Sequence, residues 1–441
     1  MSLFGFSADL PRFKGLSNKR PTTVSVLDVG SSKICCLIGR LRPKGESELL
    51  PGRTHRIEIL GIGHHRSRGI KSGVIVDLDA AEQSIRTAVD GAERMAGLTV
   101  ESLLVNVSCG RLASEAFSVS VDLGGNDIED VDIRRVLEAG SAHAMRDGRL
   151  VVHSIPIGYN LDSERGIRDP RGMFGNSLGV DMHVVDADTA PLRNLEHCIN
   201  RSHLSVEAMV ASPYASGLST LVDDESEMGC ACVDMGGGTT TLSIFVEGQL
   251  VHADAIAVGG NHVTMDMARA LSTRLEDAER LKVLQGSALP SISDERDIVS
   301  VPPIGEDDRD VANQIPRAQL TRVIRPRIEE TLEMVRDRLN ASGFAATVGK
   351  RVVLTGGASQ LNGLSEVARR VLARNVRLGR PMGIKGLPEA ARGPAFSTAV
   401  GLMIYPQTAQ IEHFAKRRAP MKLTGTGGAF SRVSQWLRES F

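Results

Sequence analysis

VDMGGGTTTLSIF, residues 233–245, has an echo near the start of the chain in LDVGSSKICCLIG, residues 27–39. Each reads as a strand ending in Asp-x-Gly, two or three small residues, and a second strand. A tight turn of this kind aims its backbone N–H groups into one concavity, which suits phosphate oxygens. Bulky side chains would block that approach, so Gly and Ser are needed there. The Asp before each turn can hold waters of a phosphate-bound Mg²⁺, an ion that keeps most of its hydration shell. One such hairpin is commonplace. Two, each opening a domain, would clamp one polyphosphate between the domains. A third element, LTGGASQLNGL at 354–364, reads as a strand, a glycine turn and a helix. Gly356 and Gly357 let backbone pass close to a flat ring there, although a helix-capping glycine pair gives the same pattern.

With 441 residues the chain is long enough for two or more domains and a sizeable core. A formal net charge of −1 implies no global attraction to nucleic acid, and 3% aromatic content argues against stacking platforms for single strands. Cys35, Cys36, Cys109, Cys198, Cys230 and Cys232 contain no C-x-x-C pair, so buried reduced thiols are preferred to a zinc site. No apolar window is long enough to predict a transmembrane helix. Residues 1–21 lack the apolar run of a signal peptide and read as a flexible basic arm, with Arg12, Lys14, Lys19 and Arg20 against Asp9.

From Thr22 short β-branched runs predict a twisted, partly antiparallel sheet. Residues 79–96 predict an amphipathic helix with Ala81, Ile85, Ala88, Val89 and Ala92 on one face and Asp77 or Asp79 as cap. Residues 101–186 change character and read as a small α+β module inserted into the first domain, followed by a helix over 190–203. A second strand-rich unit opens at Cys230, with helices over 261–271 and 275–285. Residues 286–316 read as a loop, and 317–341 as a long helix with Val323, Ile324, Ile328, Leu332, Val335 and Leu339 on its apolar side. Residues 406–427 have no period and read as a flexible linker.

The three loops, in this order, resemble the actin-like ATPase superfamily. The phrases SRGIKSGVIVDLDA, VVDMGGGTTTLSIF, DAERLKVLQGSAL, VVLTGGASQLNGL and STAVGLMIY, closed by SQWLRESF, resemble the bacterial cell-division FtsA family within it. The resemblance implies an α/β fold of two duplicated ribonuclease-H-like domains. Subdomain 1A would hold 22–100 and 187–212, subdomain 1C 101–186, subdomain 2A 213–259 and 336–405, and subdomain 2B 260–335. It implies ATP and Mg²⁺ as ligands. Asp28 and Asp234 would hold the ion through water and are the candidates for any catalytic part. Gly30, Ser31, Ser32 and Lys33 would meet the β- and γ-phosphates, facing Gly236, Gly237, Gly238 and Thr239. Lys33 also has a plain reading as a solvated hairpin lysine. Glu279 and Lys282 would flank the nucleoside, and Gly356, Gly357 and Ala358 would border the adenosine.

One departure concerns hydrolysis. Many relatives in the superfamily carry Glu-Pro at the start of the helix joining the halves, whereas this chain has Ser212 before Pro213. A serine hydroxyl is a poor base at neutral pH. ATP binding with slow hydrolysis, acting as an assembly switch, is therefore expected.

The last residues, 428–441, place Phe430, Val433, Trp436, Leu437 and Phe441 on one helical stripe. The segment is too short to span a bilayer but suits the interface, with Lys416, Arg417, Arg418 and Lys422 upstream for anionic lipid. A helix docked on the protein's own surface or on a partner is the alternative. The resemblance further implies a self-assembling protein on the cytoplasmic face of the inner membrane at the division site. It would tether the tubulin-like ring protein FtsZ through the C-terminal peptide of FtsZ and meet other division proteins through subdomain 1C. Arg317, Arg322, Arg325 and Arg327 are the candidate peptide contacts, or else a solvated basic helix face. The rival readings are a small-molecule kinase of the same superfamily and a pilus-type membrane platform.

Overall fold

The computed structural model describes residues 10–44, 53–109, 111–304 and 312–413. Residues 1–9 of the basic arm, 414–427 of the linker and the terminal stripe 428–441 lie outside the described residues.

The chain opens with strands β1 (Thr22–Val29), β2 (Lys33–Pro43) and β3 (His55–Arg66) as an antiparallel meander. A two-rung hairpin, β4 (Ile70–Lys71) and β5 (Val74–Ile75), leads into helix α1 (Leu78–Ala96). Asp77 caps α1, its carboxylate accepting from the amides of Asp79 and Ala80, and Gly97 ends it at φ 65°. The buried face is Ala81, Ile85, Ala88, Val89 and Ala92, as its period demands. That face is alanine-rich because it lies almost on the backbone of β3. A Cβ on Gly63 would stand 1.9 Å from the Ala88 carbonyl oxygen.

Strand β6 (Ser102–Val107) returns to the sheet, and the chain then leaves it. Strand β7 (Ala113–Asp127), helix α2 (Asp130–His143), β8 (Arg149–Leu161), β9 (Glu164–Ile167) and β10 (Phe174–Asp188) form a separate antiparallel sheet in the order β7-β10-β8-β9. Its own core includes Val136, Leu137, Leu178, Val180 and Met182. Helix α3 (Thr189–Arg201) and β11 (Ser205–Ala211) lead back to the first sheet, and α4 (Ser212–Thr220) and α5 (Asp223–Met228) cross to the second half.

There β12 (Cys230–Met235), β13 (Thr240–Val246) and β14 (Gln249–Ile256) repeat the meander. Helices α6 (Gly260–Ala270) and α7 (Leu275–Gln285), hairpin β15 (Ile298–Val301) and β16 (Asn313–Pro316), and helix α8 (Ala318–Ala341) follow. Strand β17 (Arg351–Thr355), α9 (Leu364–Leu372), β18 (Asn375–Leu378), β19 (Ile384–Lys385) and α10 (Ser397–Ile404) complete the order. The second sheet runs β14-β13-β12-β17-β18, and the first β11-β6-β1-β2-β3-β19. Strands β1 and β12 each pair antiparallel with the next strand and parallel with a later one. The sequence echo is therefore a duplicated sheet. All six cysteines are buried and free.

Three expectations change. Residues 10–16 pack on the body, while 17–21 are exposed: Leu10 and Leu16 join the first core, and Arg12 Nη2 donates to the Val151 carbonyl at 3.1 Å. Residues 406–413 are likewise packed, with the Glu412 carboxylate 3.0 Å from His153 Nδ1 and the His413 amide donating to Ser154 O at 2.9 Å. The 286–316 segment contains the β15–β16 hairpin, whose Val299 and Val301 are buried in the second core.

Candidate functional site

The two Asp-x-Gly turns close the same way. Gly30 N donates to Lys33 O at 3.1 Å, and Gly236 N to Thr239 O at 2.9 Å. They face one another across a cleft of about 560 Å³ between the two sheets, within the usual size range of small-molecule sites. The approach is so close that a Cβ on Gly237 would stand 1.9 Å from Ser32 Oγ, and one on Gly238 2.4 Å from Ser31 Oγ. Ser32 Oγ donates across the cleft to Asn261 Oδ1 at 3.1 Å, and Ser31 Oγ accepts from Gly73 N of the β4–β5 hairpin at 3.0 Å.

Asp28 and Asp234 sit at the base of the two turns. Burial pushes the Asp28 carboxyl up from 3.8 to about 7, with Lys33 pulling it down and Asp234 adding to the rise. Burial also raises Asp234, opposed by hydrogen bonds from Ser216 and Thr398. Thr398 Oγ1 donates to Asp234 Oδ2 at 2.9 Å, and Ser216 Oγ donates to the same oxygen. Gly356, at φ 87°, turns directly beneath this carboxylate, and a Cβ there would stand 2.2 Å from Asp234 Oδ1. Burial lowers the Lys33 amine, whose Nζ donates to Ala395 O at 2.5 Å and lies over the Phe396 ring. Lys33 is thus a cleft lysine and not a solvated one.

Among the described residues no three His, Cys, Asp or Glu side chains converge as a metal cage. Two facing, desolvated carboxylates fit a cation that takes its other ligands from phosphate and water, the habit of Mg²⁺.

In the same cleft, Lys282 Nζ bonds Glu279 Oε2 at 2.6 Å, Thr264 Oγ1 at 2.8 Å and Gly260 O at 3.0 Å. Helix α6 thereby fixes the pair one turn apart on α7, with the Glu279 side chain still 46% exposed. Gly357 and Ala358 form the facing wall.

Two family models match the chain, "Cell division protein FtsA" over residues 231–401 and "SHS2 domain inserted in FTSA" over 109–186. The cell division protein FtsA of Agrobacterium fabrum is 65% identical, with 100% of both chains aligned. The chain belongs to the FtsA family. The FtsA of Rhizobium meliloti is 63% identical over 100% of both chains, and that of Escherichia coli 31% over 94% of this chain and 97% of its own. Among solved structures, the PilM–PilN type IV pilus biogenesis complex matches with TM-score 0.60 and 14% identity, over 88% of this chain and 99% of that one. MreB5 of Spiroplasma citri bound to ADP matches with TM-score 0.51 and 13% identity, over 89% and 98%. These likenesses establish an actin-like fold. The family's inserted module coincides with the β7–β10 sheet, which explains the change of character read between 101 and 186.

The sequence reading of this FtsA-family chain put Asp28, Gly30, Ser31, Ser32, Lys33, Asp234, Gly236, Gly237, Gly238, Thr239, Glu279, Lys282, Gly356, Gly357 and Ala358 at one site, and all of them line the cleft. It missed Asn106, Asn261 and Thr398, which line it too, while Ser212, singled out for its place before Pro213, also lines the cleft. Asn106 Oδ1 accepts from Val29 N at 2.6 Å, and its Nδ2 donates to Ser212 Oγ at 3.1 Å. The signal was a lone asparagine in the apolar run LLVNV. The four arginines do not stay together. Arg322 pairs with Glu295 at 2.8 Å, Arg325 with Glu329 at 2.8 Å and Arg327 with Asp266 at 2.6 Å. Arg317 instead lines the cleft. No helix among the described residues is long and apolar enough to cross a membrane.

Proposed function

We propose that this chain is an ATP-binding, actin-like cell-division protein that self-assembles on the inner face of the cytoplasmic membrane and tethers FtsZ there. The observation that carries the reading is the pair of Asp-Gly hairpins facing across one cleft, with Glu279 and Lys282 lining the same cleft. In this reading the hairpin amides and Lys33 meet the phosphates, and Glu279 receives a ribose hydroxyl. Asp28 and Asp234 would hold Mg²⁺ through water, and the ion would neutralise phosphate charge. Ser212 supplies a hydroxyl where a carboxylate would be needed to activate water, so turnover is slow and the nucleotide acts as an assembly switch.

Residues 428–441 form the membrane anchor. Five apolar side chains set an upper limit of about 7–15 kcal/mol for full burial, and interfacial burial with helix ordering leaves far less. One tail therefore binds weakly, and assembly adds effective concentration. The FtsZ C-terminal peptide docks on the 260–335 region, with Arg322, Arg325 and Arg327 exchanging their internal partners for its carboxylates. Other division proteins meet the module of residues 101–186.

Co-sedimentation with anionic vesicles, with and without Mg-ATP and the FtsZ peptide, tests the reading. Lipid binding that rises with ATP, peptide retention, and a blue shift of the sole tryptophan, Trp436, are expected. Loss of both lipid and peptide binding overturns it.

A further inference from the structure

Among the described residues three cations line the cleft: Lys33, Lys282 and Arg317. Lys33 lies at the phosphate hairpins, and Lys282 is committed to Glu279, Thr264 and Gly260. Arg317 stands apart. It caps the N-terminus of α8, and its amide donates to Asp297 O at 2.8 Å. Its Nε donates to Gln285 O, at the end of α7, at 3.1 Å. The same Nε is 3.6 Å from Asp294 Oδ1, and Nη1 is 3.8 Å from Asp297 Oδ2. The Asp294 side chain is only 2% exposed and is itself held, Oδ2 accepting from Ser291 N at 2.7 Å. The Arg317 side chain keeps 28% of its surface open.

We infer that Arg317 is the platform on which the nucleobase rests, a role that presupposes the ATP-binding reading above. A guanidinium flanked by two carboxylates has its net charge offset locally and makes a poor phosphate site. Its planar π-face is unaffected and stacks well on an aromatic ring. The ligand portion that suits this part of the cleft is therefore flat and uncharged. Chain geometry agrees: Arg317 is anchored to the last residue of the helix that carries Glu279 and Lys282, the pair assigned to the nucleoside. Asp294 acts as a positioning residue, setting the plane of the guanidinium from behind.

Calorimetric titration of the full-length protein with Mg-ATP, and separately with Mg-tripolyphosphate, which has phosphates and no base, tests the inference. Arg317→Ala should weaken ATP binding about tenfold and leave tripolyphosphate binding unchanged. Arg317→Lys, which keeps the charge and loses the plane, should behave like the alanine variant. Asp294→Asn should lose part of the ATP affinity with the same selectivity. Thermal unfolding of each apo variant at the wild-type temperature shows that the fold is intact. Rescue by lysine, equal loss of both ligands, or ATP binding within twofold of wild type overturns the role of Arg317. A wild-type chain that binds neither ligand overturns the nucleotide reading and, with it, this inference.

Discussion

Burial holds the Asp28 carboxyl at about 7 against 3.8 in the unfolded chain. The fold therefore prefers Asp28 protonated. The stability tied to this preference is fully present below pH 3.8 and is lost as pH rises through about 7. The gap corresponds to at most ~4 kcal/mol of cost once Asp28 is ionised. A bound cation removes that cost, since it supplies the missing positive charge. Asp28→Asn should thus raise the urea midpoint of the nucleotide-free protein at pH 8 and leave it nearly unchanged at pH 4. The same variant should gain less stability than wild type from Mg-ATP. Equal midpoints at pH 8 would show that Asp28 is not a buried charge held for a ligand. At this scale the sequence was generous where chemistry repeats: Asp28 and Asp234 announce themselves because both precede a glycine turn. Asn106, Ser216 and Thr398 were silent, because what they touch depends on strands and helices more than a hundred residues away in some cases. That Arg317, read as a candidate peptide contact, also lines the cleft was hidden for the same reason, its acidic partners lying in a loop with no period.

Elements were more legible than their contacts. The helix α1 was bounded to within one residue by its apolar period and cap, and the duplicated meander followed from one repeated phrase. The β15–β16 hairpin was missed because four-residue strands carry too little alternation to stand out from a polar loop. Pairing across the cleft was also invisible. Arg66, at the end of β3, lies 2.7 Å from Glu276 on the first turn of α7, and the two side chains are 64% and 73% exposed. Together with the Ser32–Asn261 bond it joins the two halves. An exposed pair contributes only a small attraction, screened by salt. That is enough to alter the rate at which the cleft opens by a few-fold. Glu276→Arg should speed release of a fluorescent ADP about two- to fivefold at low salt, and adding Arg66→Glu should restore the slow rate. Release rates that ignore both the reversal and its compensation would leave the pair with no part in closure.

For the whole molecule, the expectation of a loose linker from residue 406 meets a different geometry. The chain is seated as far as 413. Tyr405 and Pro406 are buried, and Glu412, its side chain 1% exposed, faces His153 Nδ1 at 3.0 Å. His153 Nε2 accepts from the Ala211 amide at 2.9 Å, so one buried ring joins the inserted module, the first sheet and the C-terminal segment. Ser141 Oγ on α2 donates to His413 O at 3.1 Å, and Arg12 from the N-terminal segment holds the carbonyls of Val151 and Val152 on β8. The root of the proposed membrane tail is therefore fastened to the inserted module, and a pull on the tail is felt there first. Two truncations separate anchoring from folding. A chain ending at 413 keeps every one of these contacts, so it should unfold at the wild-type temperature while losing vesicle binding. A chain ending at 405 strips the carboxylate from a buried histidine and leaves Ser154 O without its donor. Unsatisfied buried groups of this kind cost about 1–3 kcal/mol each. The shorter chain should unfold several degrees lower and show faster hydrogen exchange in β8, beyond the reach of any lipid effect. Identical unfolding of the two truncations would mean that residues 406–413 only rest on the module, and the tail would then hang from the body with no mechanical route into it.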